Sequence, residues 1–372
     1  MKTVVKERQR TDGRSYERKV SDGRLGGSVG KRWRGGAFCR KVWAVVAMAA
    51  LAFGLAGCSR GEEAADASGE AASEQAVRLG IIQYVEHPSL DIARQGFLDV
   101  LAENGYLEGD RLKVTYRNAQ ADMSIAQSIA QQFAEDKPDL ILAIATPTAM
   151  AMANATRETP ILITAVTDPV DAKLIQSMEK PGTNVTGTSD YISIEEQIRL
   201  VQRIVPGVQK LGLIYNNGEQ NSVVQAQEVK NIAEKLKMQV VEATPNNSSE
   251  VLQAAQSLVG KVDAIFVPTD NTVVSGLEAV IKVANENNIP LFVGESDSVK
   301  RGALATIGVD YYELGRKTGE KALQVLEGVN PAAIPVETQS DYAISINLKA
   351  AQEMAVQVPD EIIRAAKEVY NE

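Results

Sequence analysis

The chain has 372 residues, 44% of them hydrophobic, with 39 Lys+Arg against 48 Asp+Glu, one His, two Cys and two Trp. Its net charge of −9 argues against nucleic acid as the main partner, because phosphate binding needs Lys and Arg clustered on the working face. One His and two Cys are too few for a Cys/His zinc cluster or a disulfide framework.

The charge is unevenly distributed along the chain. Residues 1–41 carry 13 Lys/Arg against 4 acids, a net +9, and residues 42–57 are uncharged. From Cys58 onward 26 basic and 44 acidic residues leave −18. The run 42–55 (VWAVVAMAALAFGL) follows Arg40-Lys41 and closes on small residues, the pattern of a secretory signal peptide. It falls short of the roughly 20 apolar residues that cross a bilayer. Leu55-Ala56-Gly57-Cys58 resembles a bacterial lipoprotein lipobox, which implies removal of residues 1–57, transfer of a diacylglycerol to the Cys58 thiol and a palmitate-bearing lipidated N-terminus. The stretch before Arg40 is long for a signal peptide, which a translation start near Val29 would explain. Residues 58–76, rich in Ala, Ser and Glu, read as a flexible tether. Lipid and tether together place the acidic body outside the cytoplasm, anchored to the cell membrane. Cys39 lies in the leader, so the exported body has no cysteine beyond its anchor.

From Val77 the chain alternates short apolar runs with amphipathic stretches. Strands are predicted at 77–84, 113–116, 140–145 and 161–166, with helices at 91–104, 124–135 and 147–155. After a helix at 193–204, strands follow at 211–215, 239–243, 264–267, 291–293 and 304–307. The helices between and after these are predicted at 222–237, 249–259, 273–287 and 312–327, then a strand at 342–346 and a last helix at 359–370. Continuous apolar strands alternating with helices imply parallel strands buried on both faces. The expected fold class is α/β, with two doubly wound parallel-sheet lobes.

In such sheets ligands bind beyond the carboxyl ends of the strands. Six loops at those ends carry hydroxyls, amides and carboxylates, including Gln83 to Pro88, Thr146-Pro147-Thr148, Thr167-Asp168-Pro169 and Pro268 to Thr272. Ser, Thr, Asn and Asp are also favoured helix caps, so any single loop is ambiguous, whereas six on two halves point to a cleft. There is no Gly-rich phosphate loop, nucleophile elbow or metal-ligand cluster to support an enzyme, and no cofactor is implied.

The run Gly80-Ile81-Ile82-Gln83-Tyr84-Val85-Glu86-His87-Pro88-Ser89-Leu90-Asp91 is distinctive. With Ala145-Thr146-Pro147-Thr148-Ala149, Val166-Thr167-Asp168-Pro169-Val170, Tyr215-Asn216-Asn217 and Pro268-Thr269-Asp270-Asn271-Thr272 it resembles the solute-binding lipoproteins of ABC importers of the tryptophan/tyrosine type. The resemblance covers nearly everything from Val77 onward and implies a type I periplasmic-binding fold, two lobes joined by three crossing segments. These are expected near 189–191, 309–312 and 336–338, giving an N-lobe of 77–190 plus 311–336 and a C-lobe of 191–310 plus 337–372. It further implies a monomer that delivers a small amino acid, aromatic or branched-chain, to a permease and ATPase. A sensory lipoprotein signalling to a membrane kinase would look the same in sequence.

A free amino acid brings an ammonium and a carboxylate, each of which needs a charge-assisted partner when buried. Thr146 and Thr148 are the expected carboxylate donors, with Thr167 and the Ala165 carbonyl beside them. Asp270 is the expected ammonium counter-ion, in parallel with related amino-acid binders. Asp168 either faces the ligand or caps its own helix. Gln83 and His87 lie on the first loop, His87 lacking any nucleophile partner and so reading as a binding or loop-packing residue rather than a catalyst. Tyr191, Asn217, Ser222, Asn271 and Asp310 complete the expected lining. Both tryptophans, Trp33 and Trp43, fall in the leader, and the lack of Trp platforms in the body disfavours a sugar.

Overall fold

The structure is a computed structural model that describes residues 76–340 and 342–371. The leader, Cys58 and most of the tether lie outside the described residues. Among the described residues no helix is long and apolar enough to cross a membrane.

The apolar runs LILAI and ILIT are buried at every position, as strands covered on both faces must be. They are the centre of a first sheet built from β1 (Val77–Gln83), α1 (Pro88–Glu103), β2 (Leu112–Asn118), α2 (Met123–Asp136), β3 (Leu140–Ile144), α3 (Thr146–Ala155), β4 (Ile161–Thr164) and β5 (Val185–Ser189). The chain then enters a second unit: α4 (Ile194–Ile204), β6 (Lys210–Ile214), α5 (Gln220–Lys235), β7 (Gln239–Ala243), α6 (Val251–Ser257), β8 (Ala264–Val267), α7 (Asn271–Ser275), α8 (Leu277–Glu286), β9 (Leu291–Val293), α9 (Ser296–Arg301) and β10 (Ala305–Gly308). It returns to the first unit with α10 (Tyr311–Leu326) and β11 (Glu337–Thr338), and ends in the second with β12 (Ala343–Asn347), α11 (Leu348–Glu353), α12 (Asp360–Ala365) and β13 (Glu368–Tyr370).

The first sheet has the order β11-β5-β4-β3-β1-β2 and is parallel throughout. The second runs β13-β12-β10-β9-β8-β6-β7, with β12 antiparallel to β10. Each has its own hydrophobic core, one including Phe97, Phe133 and Leu142, the other Phe266, Leu277 and Phe292. The chain passes between them at residues 190–193 and 309–310 and a third time after Thr338.

Three differences from the sequence reading have physical causes. The third crossing begins at 339, not 336, because Glu337 and Thr338 extend the first sheet by pairing with Thr188 and Ser189. The helix expected over 359–370 stops at Ala365, and Glu368–Tyr370 instead pairs with Ser345–Asn347 as an edge strand. The helix expected over 273–287 is broken at Gly276, which separates α7 from α8 and packs against the Ser248 carbonyl.

The return of α10 to the first unit depends on glycine. A Cβ on Gly315 would overlap the Ala93 carbonyl oxygen, and one on Gly96 the carbonyl oxygen of Tyr312, so α1 and α10 touch backbone to backbone. Thr318 on the next turn shares a 2.7 Å hydrogen bond with Thr188 of β5, fixing the helix over the sheet. This helix pair holds Tyr311 beside the crossing segment at 190.

Candidate functional site

The carboxyl ends of β1, β3 and β4 face those of β8 and β9, and the loops leaving them meet. Ser89 donates from its hydroxyl to Glu295 at 2.8 Å, Thr167 and Thr269 share a 3.3 Å hydroxyl contact, and the Gln220 amide donates to the Asp171 carboxylate. The lobes are thus closed on one another. They leave a cavity of about 10 Å³ between them. His87, Leu90 and Ala165 line it from one lobe, Asp190 and Tyr311 from the crossings, and Thr269 to Asn271, Val274 and Glu295 from the other.

Four carboxylates are buried around this cavity, Asp190, Glu219, Asp270 and Glu295, each less than 5% exposed. Three have both oxygens hydrogen-bonded, Asp270 and Glu219 by donors of their own lobe and Glu295 partly by Ser89 of the other. Asp270 caps α7 by accepting from the Val273 N–H at 2.7 Å, and its other oxygen accepts from the Asn216 N–H and the Ser222 hydroxyl, both at 2.6 Å. Glu219 accepts from the N–H and hydroxyl of Thr272 at 2.9 and 2.7 Å and from the Asn271 amide at 2.5 Å. Glu295 caps α9 through the Ser298 N–H and takes the Ser89 hydroxyl. Burial and the neighbouring Glu219 push Asp270 well above the usual carboxylate range.

Asp190 differs. One oxygen accepts from the Tyr311 hydroxyl at 2.7 Å, while Oδ1 is buried without a partner. Burial raises its pKa, against the hydrogen bond from Tyr311 and the lesser influence of the nearby Thr167 hydroxyl and its own backbone N–H. An unpaired carboxylate oxygen inside a closed protein is costly unless a donor or a cation completes it. Among other buried atoms without a partner near the cleft are the Thr146 hydroxyl at the start of α3, both ring nitrogens of His87, and the amide oxygens of Asn221 and Gln197. Ala145 and Ala165, which end the turns out of β3 and β4, sit at φ of 80° and 55°, conformations held against their intrinsic preference at the cleft face.

The residues expected from sequence divide. His87, Ala165, Asp270 and Asn271 line the cavity, and Thr167 bridges the lobes above it. Gln83 is buried but spends its amide on the Val85 carbonyl and Asp91, and its oxygen on Arg94, away from the cavity. Thr148 donates its hydroxyl back to the Ile144 and Ala145 carbonyls, leaving Thr146 as the hydroxyl without a partner. Asp168 caps its own turn through the N–H groups of Val170 and Asp171. Tyr191 is 37% exposed and reaches Glu228 at 3.4 Å. Asn217 is exposed, while its neighbour Asn216 turns inward to Asp270. Ser222 is buried beneath the cavity as a donor to Asp270, and Asp310 is exposed as the cap of α10. Sequence reading missed Asp190, Glu295 and Tyr311. The available signal was position, since Asp190 and Tyr311 fall in or beside segments expected to cross between lobes.

A second cavity, of about 200 Å³, lies beside the crossings and is lined by Asp297, Lys300, Asp310, Lys367 and Glu368 among others. Burial, then Glu295, Asp310 and Glu368, raise Asp297 to about 7, against the charge of Lys300. A carboxyl whose folded pKa lies above its unfolded value costs stability once ionised. Asp297→Asn is therefore expected to raise the thermal midpoint at pH 8, by roughly 1 kcal/mol of stability or more. The advantage should shrink as pH falls from 7 toward 4 and vanish below that, where both states of the wild type are protonated. Melting curves at pH 4.5, 6 and 8 check this.

Comparison with known proteins agrees with this architecture. A family model described as ABC transporter substrate binding protein matches residues 78–370. A tyrosine-binding protein of Clostridioides difficile is 50% identical over 295 residues, 79% of this chain and 86% of the relative. An ABC domain from Streptococcus pneumoniae solved in complex with L-Trp is 35% identical, with a TM-score of 0.76 over 79% of this chain and all of that one. The ligand-free, open structure of a Clostridium difficile substrate-binding protein with adhesive properties is 44% identical, yet its TM-score is only 0.60, over 80% of this chain and all of that one. The chain belongs to the family of ABC transporter substrate-binding proteins.

Proposed function

We propose that the protein is the extracytoplasmic receptor of an ABC importer and closes around one free aromatic amino acid between its lobes. The observation that carries the reading is the unpaired Oδ1 of Asp190, buried at a crossing segment where both lobes meet. The ligand's ammonium would complete that carboxylate, and its carboxylate would accept from the Thr146 hydroxyl at the start of α3. This moves the counter-ion from Asp270, both of whose oxygens are already hydrogen-bonded by Val273, Asn216 and Ser222. The names of the relatives support an aromatic ligand, tyrosine in one and L-Trp in another. The greater likeness to the L-Trp complex than to the open form, despite lower sequence identity, supports taking the present arrangement as the closed state. The lipobox-like Leu55 to Cys58 and the following tether support anchoring by lipid at Cys58, with release of the ligand to a permease and its ATPase.

The body from Ser59 contains no tryptophan. Titration with L-tryptophan should therefore give a spectral shift and a rise in anisotropy against a dark background, reversed by competing tyrosine or phenylalanine but not by leucine or valine. Calorimetry across the common amino acids that registers no binding would sink the amino-acid reading.

A further inference from the structure

His87 is the chain's one histidine and is only 6% exposed, at the N-cap of α1. It makes no side-chain cap to its helix, and neither Nδ1 nor Nε2 has a hydrogen-bond partner within the protein. The ring lies in the wall of the interlobe cavity, among Leu90, Val274 and the polar end of Asn271. Burial holds its pKa down to about 3, against the polar influence of the nearby Asn271 side chain and with the charge of Arg301, so it is neutral at any physiological pH. A neutral imidazole presents one N–H donor and one lone-pair acceptor, and leaving both unmet in a closed core is costly.

The choice of partner follows from what each part of an amino acid offers. An ammonium only donates and is claimed by Asp190. A carboxylate only accepts, and Thr146 stands ready for it. Both charged ends of the ligand are thus provided for elsewhere, which leaves His87 to the side chain. A phenyl ring offers neither donor nor acceptor, and an indole N–H only donates. A phenolic hydroxyl does both, so it can serve whichever nitrogen faces it.

We propose that His87 binds the hydroxyl of the ligand's side chain and makes the site selective for a phenol over a bare phenyl ring. This rests on the amino-acid reading above and adds the specificity element to it. Sites built to hydrogen-bond a substrate hydroxyl reject the analogue that lacks it strongly, because their own polar groups are left unpaired.

The test is calorimetry of the full chain and its variants with L-tyrosine and L-phenylalanine. Wild type should bind tyrosine at least about tenfold more tightly than phenylalanine. His87→Leu should lose that discrimination, with tyrosine weakened about tenfold or more and phenylalanine within about threefold of wild type. His87→Asn, which keeps a donor and an acceptor, should restore part of the preference and guards against a folding defect in the Leu variant. Wild type that binds phenylalanine as well as tyrosine overturns the proposal. So does an equal loss for both ligands in His87→Leu and His87→Asn with unchanged melting curves, which would put His87 on the common amino-acid end. If wild type binds tyrosine, phenylalanine and tryptophan not at all, it is the aromatic amino-acid reading that has failed, and this proposal with it.

Discussion

Asp190→Asn is expected to weaken binding of the aromatic amino acid by about thirtyfold or more, because truncating one member of a desolvated charge pair costs about 2–5 kcal/mol. The same change should leave the ligand-free protein as stable as wild type or slightly more so. Asn keeps an oxygen for the Tyr311 hydroxyl, and the variant no longer buries a carboxylate whose second oxygen lacks a partner. The combination separates a ligand counter-ion from a structural acid, for which affinity and stability would fall together. Asp270→Asn should show the second pattern, since its carboxylate holds Val273, Asn216 and Ser222 in place. Calorimetry and thermal unfolding on the two variants read both quantities. An unchanged affinity in Asp190→Asn would remove that residue from the site.

Gly315→Ala is expected to destabilise the protein by about 3 kcal/mol, the upper range for overpacking a close contact. An exposed helical glycine replaced by alanine would instead gain up to about 1 kcal/mol, so the sign of the effect reports the contact directly. Here the added methyl would meet the Ala93 carbonyl oxygen, and α10 could accommodate it only by moving away from α1. That shift would also loosen the Thr318–Thr188 bond and displace Tyr311 at the head of the helix. Amino-acid affinity should therefore fall with the melting temperature. A midpoint equal to or above that of wild type would show that the two helices do not touch at Gly315.

The alternation of buried strands and amphipathic helices was legible because each element carries its own periodicity. LILAI at Leu140–Ile144 reads as a doubly covered strand wherever it sits. The return of residues 312–327 to the first lobe was stated from family resemblance, and its cause in Gly96 and Gly315 became visible only when α1 and α10 lay side by side. The final helix is shorter than expected because Val369 and Tyr370, residues at home in strands, pair instead with the free edge of β12.

At the site, chemistry was legible and assignment was not. Thr146 and Thr148 stand two residues apart at the same helix start, yet one hydroxyl turns back onto Ile144 and Ala145 and the other stays unpaired. Asn216 and Asn217 are adjacent, and the turn sends the first inward and leaves the second exposed. By itself the sequence determined the α/β class, the loops that face the cleft, the acidic body and the position of the rare His, Cys and Trp residues. Only the tertiary structure decided which of four buried carboxylates keeps an oxygen without a hydrogen-bond partner. The donors that saturate Asp270 come from Asn216 and Ser222, 54 and 48 residues away, and the one that half-satisfies Asp190 comes from Tyr311, 121 residues away. Hydrogen-bond capacity is filled by whichever groups the fold brings within 3 Å, and no local pattern records which groups those are.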